Sequence, residues 1–252
     1  MDLVRVRFVL VRTRMGGNLG AAARAMKVAG IRRLVLVKAQ LKDREAAARM
    51  AVHAGDVLEG ARRVDDLASA LVGATWVVGT SMRAFPGQRS LPPRAVAAEA
   101  RSVLAAGGEV ALVFGDEESG LANDDLLACH DASRVPTAPE QPSLNLAAAV
   151  QVYAYELHLA SLEPGSPEPR ERAPEEELGA TERALRQVLE SSGFVDPDRP
   201  GHGVRELAHT LRRAGLTTAE AKLWQAALYQ AAGALVRKRL DGATPGSDNP
   251  RV

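Results

Sequence analysis

Much is missing from this chain of 252 residues, and each gap removes a class of function. Its single cysteine, Cys129, excludes an intramolecular disulfide and argues against a zinc site. The five histidines, at 53, 130, 158, 202 and 209, are scattered without ligand spacing, so no metal is expected. No apolar run approaches the roughly 20 residues a membrane span needs. The start, Met1-Asp2-Leu3-Val4-Arg5, lacks the short apolar core of a signal peptide. The expectation is a soluble, cytoplasmic protein. Glycines 16, 17 and 20 do not fit G-x-G-x-x-G, and the second strand-like run ends in Lys38 rather than an acidic residue, so a dinucleotide site is not indicated. Gly-Lys-Ser/Thr is absent, which removes a P-loop, and Ser143 sits in no G-x-S-x-G elbow, which weakens a hydrolase reading.

What is present is a globular composition, 46% hydrophobic and 25% charged, on a chain long enough for one large domain or a domain plus an appendage. The net charge of +1 hides a division. Residues 1–63 carry 14 Lys/Arg against 5 Asp/Glu, residues 64–160 carry 5 against 12, and residues 203–239 carry 7 against 2. Two basic zones fit a polyanion partner, because phosphate contacts supply most non-specific affinity for nucleic acid. Arginine-rich helices that merely face solvent would give the same count.

Four short runs, 8–11, 34–37, 76–79 and 110–114, are continuously apolar, as strands buried on both faces should be. Helical patterns at 19–29, 45–59, 93–105 and 144–159 separate them, which predicts an α/β domain over residues 1–162 with a parallel sheet. Residues 163–174 hold four prolines and read as a linker. Residues 175–240 read as a small all-α extension leaning on the main domain or on a second subunit. Its first helix opens on Glu175-Glu176-Glu177 and ends at Gly193, and its second runs from about 204 to 214. The third starts with the capping-box pattern Thr217-Thr218-Ala219-Glu220 and is expected to bury Leu223, Trp224, Ala227, Leu228, Ala231 and Leu235. The tail, 241–252, is expected to be disordered.

Three segments share a design: Gly17-Asn18-Leu19-Gly20, Phe114-Gly115-Asp116-Glu117-Glu118-Ser119-Gly120-Leu121 and Pro142-Ser143-Leu144-Asn145-Leu146. Each follows a strand-like run as a loop of small or polar residues at or just before a helical pattern. Open α/β sheets bind ligands at strand C-termini, so the three suggest one composite pocket. Asn18-x-Gly20-x-x-x-Arg24, Phe114-Gly115-x-Glu117-x-x-Gly120-Leu121 and Ser143-Leu144-Asn145-Leu146 together resemble the three ordered motifs of the SpoU (TrmH-like) 2′-O-methyltransferases of the SPOUT superfamily. Residues 23–27, 78–83, 127–130, 150–156 and Ser192-Gly193-Phe194 are similar to the TrmJ branch of that family, and the likeness covers most of residues 3–240.

The resemblance implies a parallel sheet with a C-terminal trefoil knot, a homodimer, and S-adenosyl-L-methionine bound in the knotted loops. It further implies 2′-O-methylation of cytidine or uridine 32 in the tRNA anticodon loop. Ribosomal RNA as target, or a non-catalytic RNA-binding protein, are the alternatives. Carried over by motif, the methyl donor touches Thr80, Ser81, Met82, Gly115, Val135, Pro142, Ser143 and Leu144. Arg24 becomes the catalytic arginine, with Glu117, Ser143 and Asn145 beside it. Glu117 has a second reading as a structural carboxylate, and Asn18 and Asn145 as loop braces. Asn18, Arg12, Arg14, Arg83 and Arg89 are the candidate RNA contacts. The chain departs from the branch at Arg12, where an acidic residue is common, at Met15, often His, and at Gln141, often aromatic.

Overall fold

A computed structural model describes residues 1–83, 88–162, 171–195 and 202–241. After a 3₁₀ turn, Leu3–Arg5, the elements are β1 (Val6–Val11), α1 (Gly16–Val28), β2 (Arg33–Val37), α2 (Arg44–Met50), α3 (Gly55–Glu59), β3 (Arg62–Val64), α4 (Leu67–Leu71), β4 (Trp76–Thr80), β5 (Ser90–Leu91), α5 (Pro93–Ala105), β6 (Val110–Phe114), α6 (Asn123–Leu127), β7 (Asp131–Ser133) and α7 (Leu146–Leu162). Then come α8 (Glu175–Ser192), α9 (His202–Ala214) and α10 (Thr218–Asp241). The strands pair in the order β3-β2-β1-β6-β4-β7-β5, every pair parallel.

The apolar runs behave as their continuity demands. Phe8, Leu10, Leu34, Leu36, Val110, Leu112 and Phe114 point to the layer of α1, α5 and α7, whereas Val9, Val11, Val35, Val37, Val77 and Val113 point to α4 and α6. Both faces are covered, so alternate side chains of each strand feed different halves of the core. The first glycine-rich segment lies inside the first turns of α1 rather than in a loop before it. Its glycines serve packing: a Cβ on Gly20 would lie 2.2 Å from the Ala47 carbonyl oxygen, so α1 and α2 meet only because it has none. The single helical pattern at 45–59 is broken into α2 and α3 around His53, whose φ is +59°.

The extension docks on the sheet domain. The Glu175 N–H donates to the Ala74 carbonyl (2.9 Å), and the Ala173 N–H donates to that of Leu216 (2.6 Å). Arg172 pairs with Glu99 while its guanidinium stacks 5.5 Å from the Trp76 ring centre. Arg205 pairs with Asp124 at 2.7 Å. Within the extension, α10 turns a different face to α8 than its pattern suggested. Ala221 and Gln225 meet α8, with the Gln225 side-chain amide on the Glu177 carbonyl (3.0 Å), and Ala232 is buried; Leu228 and Leu235 are half-buried, Ala227 and Ala231 exposed, and Leu223 and Trp224 stay 71% and 45% exposed. Alanines on every side of α10 make its apolar pattern ambiguous, and small residues win the close helix–helix contact. Of the expected linker, 163–174, the end from 171 is described and Ala173 is buried, whereas 163–170 fall outside the described residues; of the expected tail, 241–252, only Asp241 is described, as the last residue of α10.

Candidate active site

The C-terminal ends of β4, β6 and β7 lie side by side, and the segments leaving them line one cavity of about 300 Å³. Thr80, Ser81 and Met82 come from the end of β4, Gly115 follows β6, and Val135 follows β7. Pro142, Ser143 and Leu144 lead into α7 and complete the eight residues expected at the methyl donor, all on the cavity wall. The rim is laced together by Thr80 Oγ1 donating to the Val113 carbonyl (3.0 Å) and the Ser81 N–H donating to that of Ser133 (2.9 Å). Gly115 lets the two ends of the following loop meet: a Cβ there would stand 2.0 Å from the Gly120 carbonyl carbon. The 116–120 loop closes on Asp116, whose Oδ1 accepts from the N–H groups of Glu118 (2.8 Å) and Ser119 (2.7 Å), and Gly120 turns it back at φ +68°.

A polar chain joins the three motifs. Glu117 Oε1 accepts from Thr13 Oγ1 (2.9 Å), the Met15 N–H (3.2 Å) and Asn18 Nδ2 (3.2 Å), and Oε2 accepts from the Arg14 N–H (3.2 Å). Met15 is the N-cap of α1 and supplies no side-chain cap, so Glu117 brings a carboxylate to that helix N-terminus from another segment. Burial works against this charge, but the surrounding hydrogen bonds outweigh it and hold the Glu117 carboxyl below its ordinary pKa. Asn145 Nδ2 then donates to Asn18 Oδ1 (2.9 Å), while its own Oδ1 caps α7 by accepting from the Ala147 N–H (2.9 Å) and the Ala148 N–H (3.3 Å). Glu117, Asn18 and Asn145 thus act as braces between loop and helix starts.

The candidate cations scatter. Arg24 lies on the exposed side of α1, outside the cavity wall, and makes no hydrogen bond or ion pair among the described residues. Arg83 is on the wall, donating to the Leu121 carbonyl (2.8 Å) and Asn123 Oδ1 (3.2 Å). Arg14 is exposed, 3.9 Å from Glu118. Arg12 and Arg89, expected at RNA phosphates, spend their charge within the fold. Arg12 pairs with Asp125 and Asp116, and Arg89 bridges Asp131 and Glu99; both guanidinium pKa values rise, chiefly through hydrogen bonds to Asp125 and Asp131 respectively.

Sequence reasoning passed over three wall residues. Ser133 Oγ donates to the Leu91 carbonyl (2.7 Å) and so accepts from the buried Tyr153 hydroxyl (2.7 Å), fixing α7 against β7 and β5. The only signal was a tyrosine on the apolar face of a helix. Arg134, exposed on the wall, is the third; its sole mark was its place beside Val135. Burial pushes His130 down to about 3, so it stays neutral, and its Nδ1 accepts the Val77 N–H at 3.0 Å as a structural group. Among the described residues no three His, Cys, Asp or Glu are grouped to hold a metal, and no helix is long and apolar enough to cross a membrane.

Residues 5–155 match the model of the SpoU rRNA Methylase family. The chain is 38% identical over 245 residues to the tRNA (cytidine/uridine/adenosine-2′-O-)-methyltransferase TrmJ of Pseudomonas aeruginosa, covering 90% of this chain and 94% of that one. It is 41% identical over 223 residues to the tRNA (cytidine/uridine-2′-O-)-methyltransferase TrmJ of Pectobacterium atrosepticum, covering 84% and 90%. The crystal structure of TrmJ from Z. mobilis ZM4 superposes with a TM-score of 0.77 at 30% identity, over 89% of this chain and 97% of that one.

Proposed function

The chain belongs to the SpoU rRNA Methylase family, and from that premise we propose that it methylates the ribose 2′-hydroxyl of a pyrimidine in the tRNA anticodon loop, cytidine or uridine 32, with S-adenosylmethionine as donor. The observation that carries the reading is the meeting of three motifs at one cavity, tied by the Glu117–Asn18–Asn145 chain. Likeness to tRNA enzymes over 84–90% of this chain, helical extension included, favours tRNA over ribosomal RNA. In this reading residues 1–162 are the catalytic domain, residues 175–240 its extension, and the protein works in the cytoplasm.

The cavity suits the donor. Phe114 and Leu146 give it apolar wall, and the glycines at 115 and 120 expose main chain that can read an adenine edge without intervening side chains. When bound, S-adenosylmethionine supplies an electrophilic methyl group on a sulfonium. Arg24 grips the phosphate next to the target ribose and stabilises the oxyanion as the 2′-hydroxyl loses its proton. A guanidinium with a pKa above about 12 is a poor base, so the proton leaves to phosphate, to water or to a polar neighbour such as the Ser143 hydroxyl. Glu117 and Asn145 act as positioning residues. The trefoil knot implied by the family belongs to the same reading, formed by the segments around 115–121 and 134–145.

A homodimer follows from Arg24 lying off its own cavity. On α1 it shares an outward stripe with Ala21 and Val28, the latter 70% exposed. Helix α7 is apolar on nearly every side, with Glu156 its only carboxylate, yet Tyr155 and Leu162 are 54% and 65% exposed. A second subunit seated on these helices covers that surface and brings its Arg24 to this chain's donor cavity.

The test is to incubate the protein with labelled S-adenosylmethionine and separate tRNA and ribosomal RNA pools, then digest and identify the methylated nucleoside. A 2′-O-methylated pyrimidine from tRNA alone supports the reading and names the base, while 2′-O-methyladenosine keeps tRNA as the target and overturns the pyrimidine. Label in ribosomal RNA moves the target. Transfer to neither leaves an RNA-binding protein at most.

A further inference from the structure

Many cations of the first basic zone have carboxylate partners, Arg12 at the C-terminal end of β1 among them. At the N-terminal edge they are neutralised: Arg7 and Arg33 both meet Glu109, Lys27 and Arg32 meet Asp56 at 2.5 and 2.8 Å, and Arg5 meets Asp2 at 3.6 Å. At the C-terminal edge Lys38, Lys42 and Arg44 are exposed and make no side-chain hydrogen bond or ion pair among the described residues. The acidic groups around them are mostly engaged: Asp43 and Glu45 face Arg49 at 3.5 and 3.6 Å, and Asp66 caps α4 through the Ser69 N–H at 2.7 Å, with Lys38 also lowering its pKa. Asp65 is the remaining exposed carboxylate. Clustered like charges repel, so three free cations on one edge cost stability unless an anion meets them.

That edge leads to the cavity. The Arg14 N–H donates to Glu117 on the cavity wall (3.2 Å), and the Lys42 N–H donates to the Arg14 carbonyl (2.8 Å). The Gln40 N–H likewise bonds the Thr13 carbonyl (3.1 Å), and the Lys38 N–H bonds that of Val64 (3.0 Å). The segment 38–44 is therefore fixed beside the first motif, two hydrogen-bonded steps from the donor site. It contains no aromatic residue on which a base could stack.

We infer that Lys38, Lys42 and Arg44 form a phosphate track for the stem of the substrate RNA, running from the cavity across the ends of β1 and β2. The track reads the sugar–phosphate backbone and not the bases, and it sets the register in which a loop nucleotide reaches the cavity. It rests on the proposed tRNA activity.

The experiment measures binding of full-length tRNA across a salt series for the intact protein, the variant Lys38→Gln/Lys42→Gln/Arg44→Gln, and Arg32→Gln from the neutralised edge. Each lost phosphate contact lowers the slope of log K against log salt by about 0.9, so the triple variant loses between roughly two and three, while Arg32→Gln keeps the full slope. S-adenosylmethionine affinity stays unchanged in all three. An unaltered slope in the triple variant overturns the track, even where the intact protein methylates tRNA. A reduced slope without methylation of any RNA keeps the track and removes the proposed activity.

Discussion

Glu117 is a half-buried carboxylate at which two main-chain N–H groups, a hydroxyl and an amide converge. With its pKa held below the ordinary 4.5, it contributes stability that is complete above the unfolded value and is lost as pH falls through the folded one. Glu117→Gln keeps the shape but turns an amide toward donors, which costs about 1–3 kcal/mol at neutral pH. Thermal melts should place the variant below the parent at pH 7, with the gap closing as pH falls below 4.5 and through the lowered folded pKa, where the parent protonates. A gap independent of pH would deny Glu117 this ionised bracing role. The sequence announced Glu117 by its motif and left its role open between chemistry and support. Only the fold brings Thr13, Arg14 and Met15, about a hundred positions away, to its two oxygens.

At the scale of elements, β1, β2, β4 and β6 were legible because each is a run of apolar residues long enough to span the sheet. The short strands β3, β5 and β7 were not. Arg62-Arg63-Val64, Ser90-Leu91 and Asp131-Ala132-Ser133 carry no apolar run, and β7 tolerates burial only because Trp76 Nε1 donates to Asp131 (2.8 Å) and Ser133 has Tyr153. That the extension leans on another surface was expected from its small size, but the contacts that dock it were hidden, since they depend on Arg172 meeting Glu99 and Trp76 across distant sequence. Arg172→Ala removes a buried cation while Glu99 keeps Arg89, so its cost falls at about 1–3 kcal/mol, below that of stranding a carboxylate. Hydrogen exchange should speed up across α8–α10 and leave β1 and β6 protected. Equal acceleration in the sheet would mean that the extension and the sheet open as one unit.

At the scale of the molecule, the proposed function asks an arginine that lies outside its own cavity to serve chemistry inside a cavity. Sequence places Arg24 in the first motif, but no periodicity reveals that α1 turns it away from its own chain's cavity. Two defective subunits answer the question. Arg24→Ala keeps the cavity and loses the proposed clamp, while Gly115→Ala drives a methyl group into the Gly120–Leu121 main chain and so displaces a loop that lines the cavity. Each variant alone should be inactive, with donor binding kept in the first and lost in the second. In mixed dimers, the intact cavity of one subunit lies opposite the intact Arg24 of the other. Random exchange makes half the dimers mixed, each with one working site, so equal mixing restores about a quarter of the parent activity. If Arg24 instead serves its own subunit's cavity, every site in every dimer carries a defect and mixing restores nothing. Recovery therefore reports that the site is built across two chains, and its absence would return Arg24 to the chain that carries it.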